Sequence, residues 1–204
     1  MKMLFFRMPP HPHFDHAWPA PLAGVDEAGR GPWAGPVVAA AVIFTTQHIP
    51  DGITDSKRIK PAQREALYTQ IRACAHVGVG IAEVAEIDAM NILQATKCAM
   101  QRAVFALPIL PLHVLIDGNQ SVDLPCPCST VIGGDAKSLS IAAASIIAKV
   151  TRDRMMHTLH TAFPYYGWDT NAGYGTPAHQ AALRLHGVTV HHRRSFKPIA
   201  ALVG

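Results

Sequence analysis

The chain has 204 residues, of which 49% are hydrophobic and 16% are charged, and it carries a formal net charge of +4. This length allows one ordinary hydrophobic core with a small appendage and excludes two full domains, so we expect one soluble globular domain. The mild basic excess suits a polyanionic partner without identifying one.

Residues 1–20 are rich in proline and histidine and are predicted to be a flexible N-terminal tail. Arg7 interrupts the only apolar patch near the start, so no signal peptide is indicated, and no apolar run approaches transmembrane length. We therefore expect a cytoplasmic protein that does not bind membranes. The alternative for the tail is a metal-chelating set formed by His11, His13, Asp15 and His16.

Beyond the tail, extended and helical patterns alternate along the chain. Apolar and β-branched runs predict strands at 22–26, 36–44, 77–84, 113–116 and 129–132. Amphipathic or alanine-rich runs predict helices at 61–75, 91–107, 137 to about 160, and 177–187. Strands that are separated and followed by helices indicate an α/β fold with a smaller helical tail.

The four cysteines, Cys74, Cys98, Cys126 and Cys128, show no C-x-x-C spacing. We expect them to be thiols in a reducing cytoplasm. A zinc site or a disulfide framework is the alternative.

Four acidic residues stand at the ends of three predicted apolar strands. Asp26 and Glu27 follow the first strand, Asp117 follows the strand HVLI, and Asp135 follows TVIGG. If these strands are neighbours in one sheet, the carboxylates converge at one edge, where open sheets bind their ligands. Two carboxylates about 4 Å apart repel by roughly 4 kcal/mol at an effective dielectric near 20, so a cation is needed between them.

Oxygen ligands without cysteine or histidine favour Mg²⁺ or Mn²⁺. Four acids suit two such ions, an arrangement used for phosphodiester cleavage. Each acid taken alone also has a structural interpretation: Asp135 as a helix N-cap, Asp117 as part of a turn, and Asp26 and Glu27 as solvated acids.

Several segments of the chain resemble the motifs of the ribonuclease HII family, the type 2 ribonucleases H. These are GVDEAGRGPWAGPVVAAAV at 24–42, DSK at 55–57, IDAMNI at 87–92, DG at 117–118, GDAK at 134–137, IAAASIIAKVTRD at 141–153, GYGTP at 173–177 and HRRSF at 192–196. They occur in order over about residues 22–199, so the resemblance is highly specific.

The resemblance implies a ribonuclease H-like mixed sheet flanked by helices over 21–162, and a C-terminal helical extension over 163–204 that contributes to substrate binding. It implies an endoribonuclease that acts on RNA/DNA hybrids and on duplex DNA containing ribonucleotides, in ribonucleotide removal from DNA. The implied cofactors are two Mg²⁺ or Mn²⁺ ions held by Asp26, Glu27, Asp117 and Asp135. We expect a monomer.

The resemblance also implies substrate-binding residues. Gly29, Arg30 and Gly31 form the GRG loop, which in this family recognises the ribose 2′-hydroxyl, the group that distinguishes RNA from DNA. Tyr174 matches a tyrosine that stacks on the deoxyribose following the ribonucleotide. Lys57 and Asn91 match positions near the nucleic-acid backbone, although a lysine after a turn and an asparagine at a helix start each have structural explanations.

Other residues within the motifs are expected to be structural. Lys149, Arg152 and Asp153 are spaced for side-chain pairing on the long helix, and Trp33 and Trp168 are expected to pack in the core. The segment 192–194 either adds basic surface near the duplex or is simply solvated.

The chain departs from the family pattern at Ala172, where many members have a basic residue, so one phosphate contact is in doubt. Two rival functions remain open. One is a nucleic-acid-binding module in which the acids are structural, and the other is a metal-dependent DNA nuclease or integrase-like enzyme.

Overall fold

A computed structural model describes residues 10–203, in which one five-stranded sheet lies between layers of helices. The strands are β1 Leu22–Ala28, β2 Val37–Phe44, β3 Ala75–Ala82, β4 His113–Asp117 and β5 Cys128–Val131. The helices are α1 Pro12–His16, α2 Pro61–Cys74, α3 Val84–Phe105, α4 Leu139–Ala162, α5 Trp168–Asn171, α6 Pro177–His186 and α7 Lys197–Val203.

The strand order is β3-β2-β1-β4-β5. Strand β2 pairs antiparallel with β1 and β3, whereas β1 pairs parallel with β4, and β4 with β5. The predicted mixed sheet is therefore confirmed. Because β1, β4 and β5 run in the same direction, their carboxyl ends meet at one edge of the sheet.

The two faces of the sheet bury separate cores because successive side chains of a strand point to opposite faces. In β2, Ala39 and Ala41 pack in the core that α3 covers, and Ala40 and Val42 pack in the core that α2 and α4 cover. This alternation makes the domain a three-layer structure and explains why β2 is apolar at nearly every position.

Helix α4 is the central helix of one layer. Its alanine- and isoleucine-rich first half is buried against β1 and β2, as the sequence predicted. The predicted start at residue 137 is two residues early: Ser138 is the N-cap, and its hydroxyl accepts a hydrogen bond from the backbone N–H of Ile141 at 3.2 Å. The interpretation of Asp135 as the N-cap of this helix is therefore wrong, since Asp135 lies in a separate 3₁₀ turn, Gly134–Ala136.

Helix α3 begins seven residues before the predicted start because Glu83 and Glu86 form a reciprocal capping box. Asn91 interrupts it with a φ of 72° and a ψ of 162°. Its side-chain oxygen accepts hydrogen bonds from the backbone N–H groups of Leu93 and Gln94, so Asn91 caps the second half of α3. The structural explanation of Asn91 as a residue at a helix start is thereby confirmed.

Part of the predicted tail is ordered against the domain. A carboxylate oxygen of Asp15 in α1 accepts a hydrogen bond from the backbone N–H of Ser140 at 2.9 Å, and Phe14 and Trp18 pack beside Leu115. Within residues 10–203 no group of three histidine, cysteine or acidic side chains is arranged to hold a metal ion, and this includes His11, His13, Asp15 and His16. Residues 1–9 of the predicted tail lie outside the described residues.

The C-terminal extension packs on the end of α4 through its own small core. Trp168 and Ile199 are fully buried there, beside Met156 of α4 and Ala34 of the loop after β1. The packing role predicted for Trp168 is confirmed. No helix in the described part of the chain is long and apolar enough to cross a lipid bilayer.

Candidate active site

The four predicted acids lie along the sheet edge where three parallel strands end. Asp26 and Glu27 lie near the carboxyl end of β1, and Asp117 is the final residue of β4. Asp135 lies in the 3₁₀ turn that follows β5. The register pairs Val25 with Ile116, so Asp26 and Asp117 follow directly from paired residues on neighbouring strands.

We call these four residues the acidic edge, and its charges repel one another. Burial raises the pKa of Asp26 well above its ordinary value, and the neighbouring charges of Glu27 and Asp117 raise it further. Burial also raises the pKa of Glu27, against the opposing effect of Arg30, whose guanidinium lies 3.4 Å from it. A cation bound between these carboxylates would offset their repulsion and stabilise their ionised forms.

A hydrogen bond ties two of the strand ends together. Oδ1 of Asp117 accepts the backbone N–H of Gly134 at 2.7 Å, which holds the turn carrying Asp135 beside the end of β4. A Cβ at residue 134 would lie 2.5 Å from Cδ1 of Ile141 and 3.2 Å from Oδ1 of Asp117, so glycine allows this close approach without displacing either side chain. Within the described residues 10–203, these acids are not arranged to enclose an ion by themselves.

The GRG loop lies beside the acidic edge and faces Tyr174. Gly29 has a φ of +96°, and a Cβ there would meet Nε of Arg152 at 2.0 Å. A Cβ on Gly31 would lie 3.3 Å from Cε1 of Tyr174, so the ring contacts the loop directly. Half of Tyr174 remains exposed to solvent, which leaves the ring available to a ligand.

Most of the predicted substrate-binding residues line one open cleft of about 670 Å³. The cleft brings together Glu27, Gly29, Arg30, Gly31, Lys57 and Tyr174. Asn91 is not among the lining residues, and the neighbouring Ile92 is. The structure thus collects five of the six predicted substrate-binding residues around the acidic edge and places Asn91 in the capping position described above.

Behind the GRG loop lie two buried arginines, Arg152 and Arg193, which we call the arginine clamp. Arg193 donates hydrogen bonds to the backbone carbonyls of Gly29, Arg30, Gly35 and Pro36. Arg152 donates to those of Ala34, Pro36 and Ala172. These acceptors are neutral backbone carbonyls on the two segments that face the cleft.

Burial of the arginine clamp disfavours the charged form of both side chains. It lowers the pKa of Arg152 to about 10, and burial together with the charge of Arg152 lowers that of Arg193 to about 9. Both interpretations of the segment 192–194 are therefore wrong for His192 and Arg193, which are buried; Arg194 alone is exposed. Paired hydrogen bonds to carbonyls that lie far away in sequence keep these polar groups in the core.

Sequence reasoning missed some residues near the acidic edge. The buried hydroxyl groups of Ser56 and Ser145 lie 2.8 Å apart, and a hydrogen bond from Ser145 lowers the pKa of Asp26 against the larger effect of burial. Lys97 lines a smaller pocket with Glu27 and Asp117. Helical spacing placed Ser145 on α4, but nothing local showed which strand it would face.

The expected structural pairing on α4 is confirmed for Lys149 and Asp153, whose charged atoms lie 2.6 Å apart. Arg152 is structural too, although it bonds backbone carbonyls rather than a neighbouring side chain. The four cysteines are free thiols, as predicted.

Comparison with known proteins gives a consistent match. A sequence profile described as Ribonuclease HII matches residues 23–199. A ribonuclease HII of Magnetococcus marinus is 58% identical over 185 residues, which cover 89% of this chain and 87% of that protein.

Two solved structures share the fold. The ribonuclease H2 of Pyrococcus horikoshii OT3 has a TM-score of 0.75 at 29% identity and covers 89% of this chain and 96% of its own. The RNase HII of Archaeoglobus fulgidus, solved in a complex with PCNA, has a TM-score of 0.72 at 26% identity, with coverages of 84% and 93%. The predicted ribonuclease H-like fold is confirmed, and the chain belongs to the ribonuclease HII family of metal-dependent endoribonucleases that act on RNA/DNA hybrids.

Proposed function

We propose that this protein hydrolyses the RNA strand of RNA/DNA hybrids and also cuts on the 5′ side of single ribonucleotides embedded in duplex DNA. The products would carry 5′-phosphate and 3′-hydroxyl ends, and the role would be ribonucleotide removal from DNA. The observation that carries this proposal is the contact between the GRG loop and Tyr174 directly beside the acidic edge.

The chemistry of the acidic edge fits divalent cations. Its carboxylates are oxygen ligands, and burial and mutual repulsion raise the pKa values of Asp26 and Glu27, which a cation would reverse. Asp26, Glu27, Asp117 and Asp135 would hold two Mg²⁺ or Mn²⁺ ions. Mg²⁺ is usually bound by few carboxylates together with substrate phosphate and water, which agrees with an incomplete protein shell at this edge. When bound, such ions supply activation of water and stabilisation of the leaving oxygen.

The remaining cleft residues would bind and orient the substrate. The backbone of Gly29 and Gly31 lies open to the cleft, so a ribose can approach it closely and its 2′-hydroxyl can be recognised. Arg30 and Lys57 supply positive charge for phosphates. The half-exposed ring of Tyr174 offers a face to the next sugar and would exclude a 2′-hydroxyl there. Asn91 would act from the rim, through the amide nitrogen that capping leaves available.

The same features disfavour both rivals. A binding module with structural acids has no need for buried, mutually repelling carboxylates, because hydrophobic residues would serve the fold better. A DNA-specific nuclease has no use for a loop and ring that discriminate a 2′-hydroxyl. We further propose that the protein acts as a monomer in the cytoplasm, and that the division into 21–162 and 163–204 separates catalysis from substrate docking.

A cleavage assay tests the proposed function. The protein is incubated with Mg²⁺ and a labelled DNA duplex that contains one ribonucleotide, beside the same duplex without it. We expect a cut only in the first duplex, on the 5′ side of the ribonucleotide, with fragments that co-migrate with 5′-phosphate and 3′-hydroxyl standards. A 2′,3′-cyclic phosphate would show that the 2′-hydroxyl itself attacks and would refute the proposed chemistry.

A second experiment tests the role of Tyr174. We expect Tyr174→Ala to lose more activity on a single embedded ribonucleotide than on a long hybrid, and Tyr174→Phe to retain most of it. The quantity to compare is kcat/KM on the two substrates, with melting temperatures as the folding control. Equal losses on both substrates would assign the ring to packing.

A further inference from the structure

A closed hydrogen-bond network in the C-terminal extension ends at the backbone of Tyr174. Nε2 of His179 lies 3.0 Å from Nε2 of His192 and 3.2 Å from Nε1 of Trp168. The other ring nitrogen of His179, Nδ1, lies 2.9 Å from the backbone oxygen of Tyr174. All three side chains are fully buried or nearly so, and direct contact with a substrate is therefore excluded.

The donors and acceptors in this network can be assigned from one end to the other. The backbone N–H of Thr189 points at Nδ1 of His192 over 3.0 Å and can only donate, so that nitrogen carries no proton. A neutral His192 must then carry its proton on Nε2 and donate it to His179. The indole N–H of Trp168 can also only donate, and it points at the same nitrogen of His179.

These two donors determine the tautomer of His179. Its Nε2 receives two N–H groups and is therefore unprotonated, so the ring proton sits on Nδ1 and is donated to the carbonyl of Tyr174. Burial and the adjacent histidines lower the pKa of His192 to about 4, and burial lowers that of His179, which agrees with a neutral pair. A proton added to either ring would face an N–H group.

We propose that His179 is a positioning residue for sugar discrimination, held in its Nδ1–H tautomer by His192 and Trp168 so that it orients the backbone of Tyr174. The proposal rests on the function proposed above for the tyrosine ring. The carbonyl of Tyr174 has one other described partner, the backbone N–H of Thr176 at 2.8 Å, within the same turn. The histidine therefore links the carbonyl of Tyr174 to the buried core of the extension, and the side chain of Gln180 holds the next carbonyl, that of Gly175, at 2.9 Å.

The network also lies next to the GRG loop, which faces the ring of Tyr174. His192 forms a β-bridge with Ala34, and the next residue, Arg193, bonds the carbonyls of Gly29 and Arg30 in the GRG loop. The backbone N–H of Trp33 donates to the carbonyl of Gly173 at 2.8 Å. The extension thus sets the distance between the ring of Tyr174 and Gly31.

Two substitutions of His179 separate positioning from packing. Asparagine can place its amide where Nδ1 stands and keep a donor for Tyr174, whereas glutamine reaches the position of Nε2 and loses that donor. Both remove the ring, and both are expected to lower the melting temperature. The readout is the ratio of kcat/KM on a single embedded ribonucleotide to kcat/KM on a long hybrid.

We expect His179→Gln to lower this ratio by roughly fivefold, about the effect of one hydrogen bond, and His179→Asn to keep it close to the wild-type value. His186→Gln, an exposed histidine stacked on Tyr165, is the matched control and should leave the ratio unchanged. Equal ratios in the two His179 variants would refute positioning and leave only a role in packing.

Two further measurements complete the test. A ¹⁵N–¹H spectrum of the histidine rings at neutral pH should show the Nδ1–H tautomer for His179 and the Nε2–H tautomer for His192; the reverse would overturn the assignment. Tyr174→Ala should lower the same activity ratio. If Tyr174→Ala lowers the activity ratio and His179→Gln does not, the positioning role of His179 is refuted while the role of the Tyr174 ring stands. If Tyr174→Ala has no effect on the ratio, both the role of the ring and the positioning role of His179 are refuted.

Discussion

The acidic edge and the arginine clamp are both clusters of like charge that are buried or half-buried, yet their surroundings differ. Burial, together with the charge of neighbouring carboxylates, raises the pKa values of Asp26 and Glu27, and the hydrogen bonds that these two groups accept do not outweigh burial. Arg152 and Arg193 are also close enough to repel, but each of their nitrogens meets at least one backbone carbonyl.

This difference indicates what each cluster is for. Buried charge that is satisfied by the protein's own carbonyls stabilises one backbone conformation, whereas neighbouring carboxyl groups whose pKa values stay raised despite the hydrogen bonds they accept favour a ligand of opposite charge. The clamp therefore holds the GRG loop in one conformation, and the acidic edge is the cation site that we propose, formed at the cost of some stability. Substitutions in the two clusters should accordingly separate activity from stability.

The largest effect is expected for activity at the acidic edge. Asp26→Asn should lower kcat/KM by about 10³-fold or more, because the site loses a cation ligand, while the melting temperature stays the same or rises through relieved repulsion. Steady-state kinetics with Mg²⁺ and a thermal melt measure both quantities. Asp51→Asn, at an exposed turn, is the control, and strong residual turnover in Asp26→Asn would refute the assignment.

In the arginine clamp, a substitution should lower stability, in contrast to the loss of activity expected at the acidic edge. Arg193→Met should lower the free energy of unfolding by about 3–5 kcal/mol, because buried carbonyls lose their donor. Denaturant titration measures this change. Arg194→Met, at the adjacent exposed position, should change stability by no more than about 0.5 kcal/mol. A small effect of Arg193→Met would mean that the carbonyls find other donors and that the clamp is not structural.

A pH titration in EDTA sharpens the comparison. Burial and neighbouring charges raise the folded-state pKa of Asp26 above its ordinary value of 3.8, so the folded state binds a proton more tightly than the unfolded state. The contribution of this group to stability is therefore greatest below 3.8 and is lost as pH rises through the raised folded-state pKa. The stability of the wild type relative to Asp26→Asn should thus increase as pH falls from 7 towards 4.

The buried histidines act with the opposite sign in this titration. The pKa values of His179, His191 and His192 are lowered by burial, so each favours the unfolded state as pH falls. They are present in both proteins, and the difference between wild type and Asp26→Asn removes their contribution. A difference that does not vary with pH would contradict the raised pKa of Asp26.

The smallest effect is expected at the start of α4, next to the acidic edge. Ser138→Ala should lower the free energy of unfolding by about 1 kcal/mol, because Ser138 caps this helix. Asp135→Asn should leave stability intact or raise it while abolishing activity. Ser121→Ala, at an exposed position, controls for the loss of a hydroxyl. A larger loss of stability in Asp135→Asn than in Ser138→Ala would return Asp135 to a structural role.

The sequence by itself predicted the strands of the sheet and the approach of Asp26 to Asp117 at one of its edges. Period-two and helical patterns located every strand of the sheet to within about two residues, and the parallel neighbours β1, β4 and β5 brought Asp26 and Asp117 together as expected. Such features are local, since burial of one face imposes the period of the element on nearby residues. Acidic residues that follow apolar strands can be recognised from the sequence for the same reason, because they stand directly after the strand pattern.

Only the tertiary structure decided which polar residues are buried. The segment 192–194 was predicted to be basic surface or a simply solvated segment, yet Arg193 donates to the carbonyl of Gly35, 158 positions away, and His192 joins a network that reaches Tyr174. Asp15 was assigned to a tail and instead receives the backbone N–H of Ser140. A charged side chain enters the core only where distant backbone groups complete its hydrogen bonds, and no pattern in the surrounding residues records where those groups will lie.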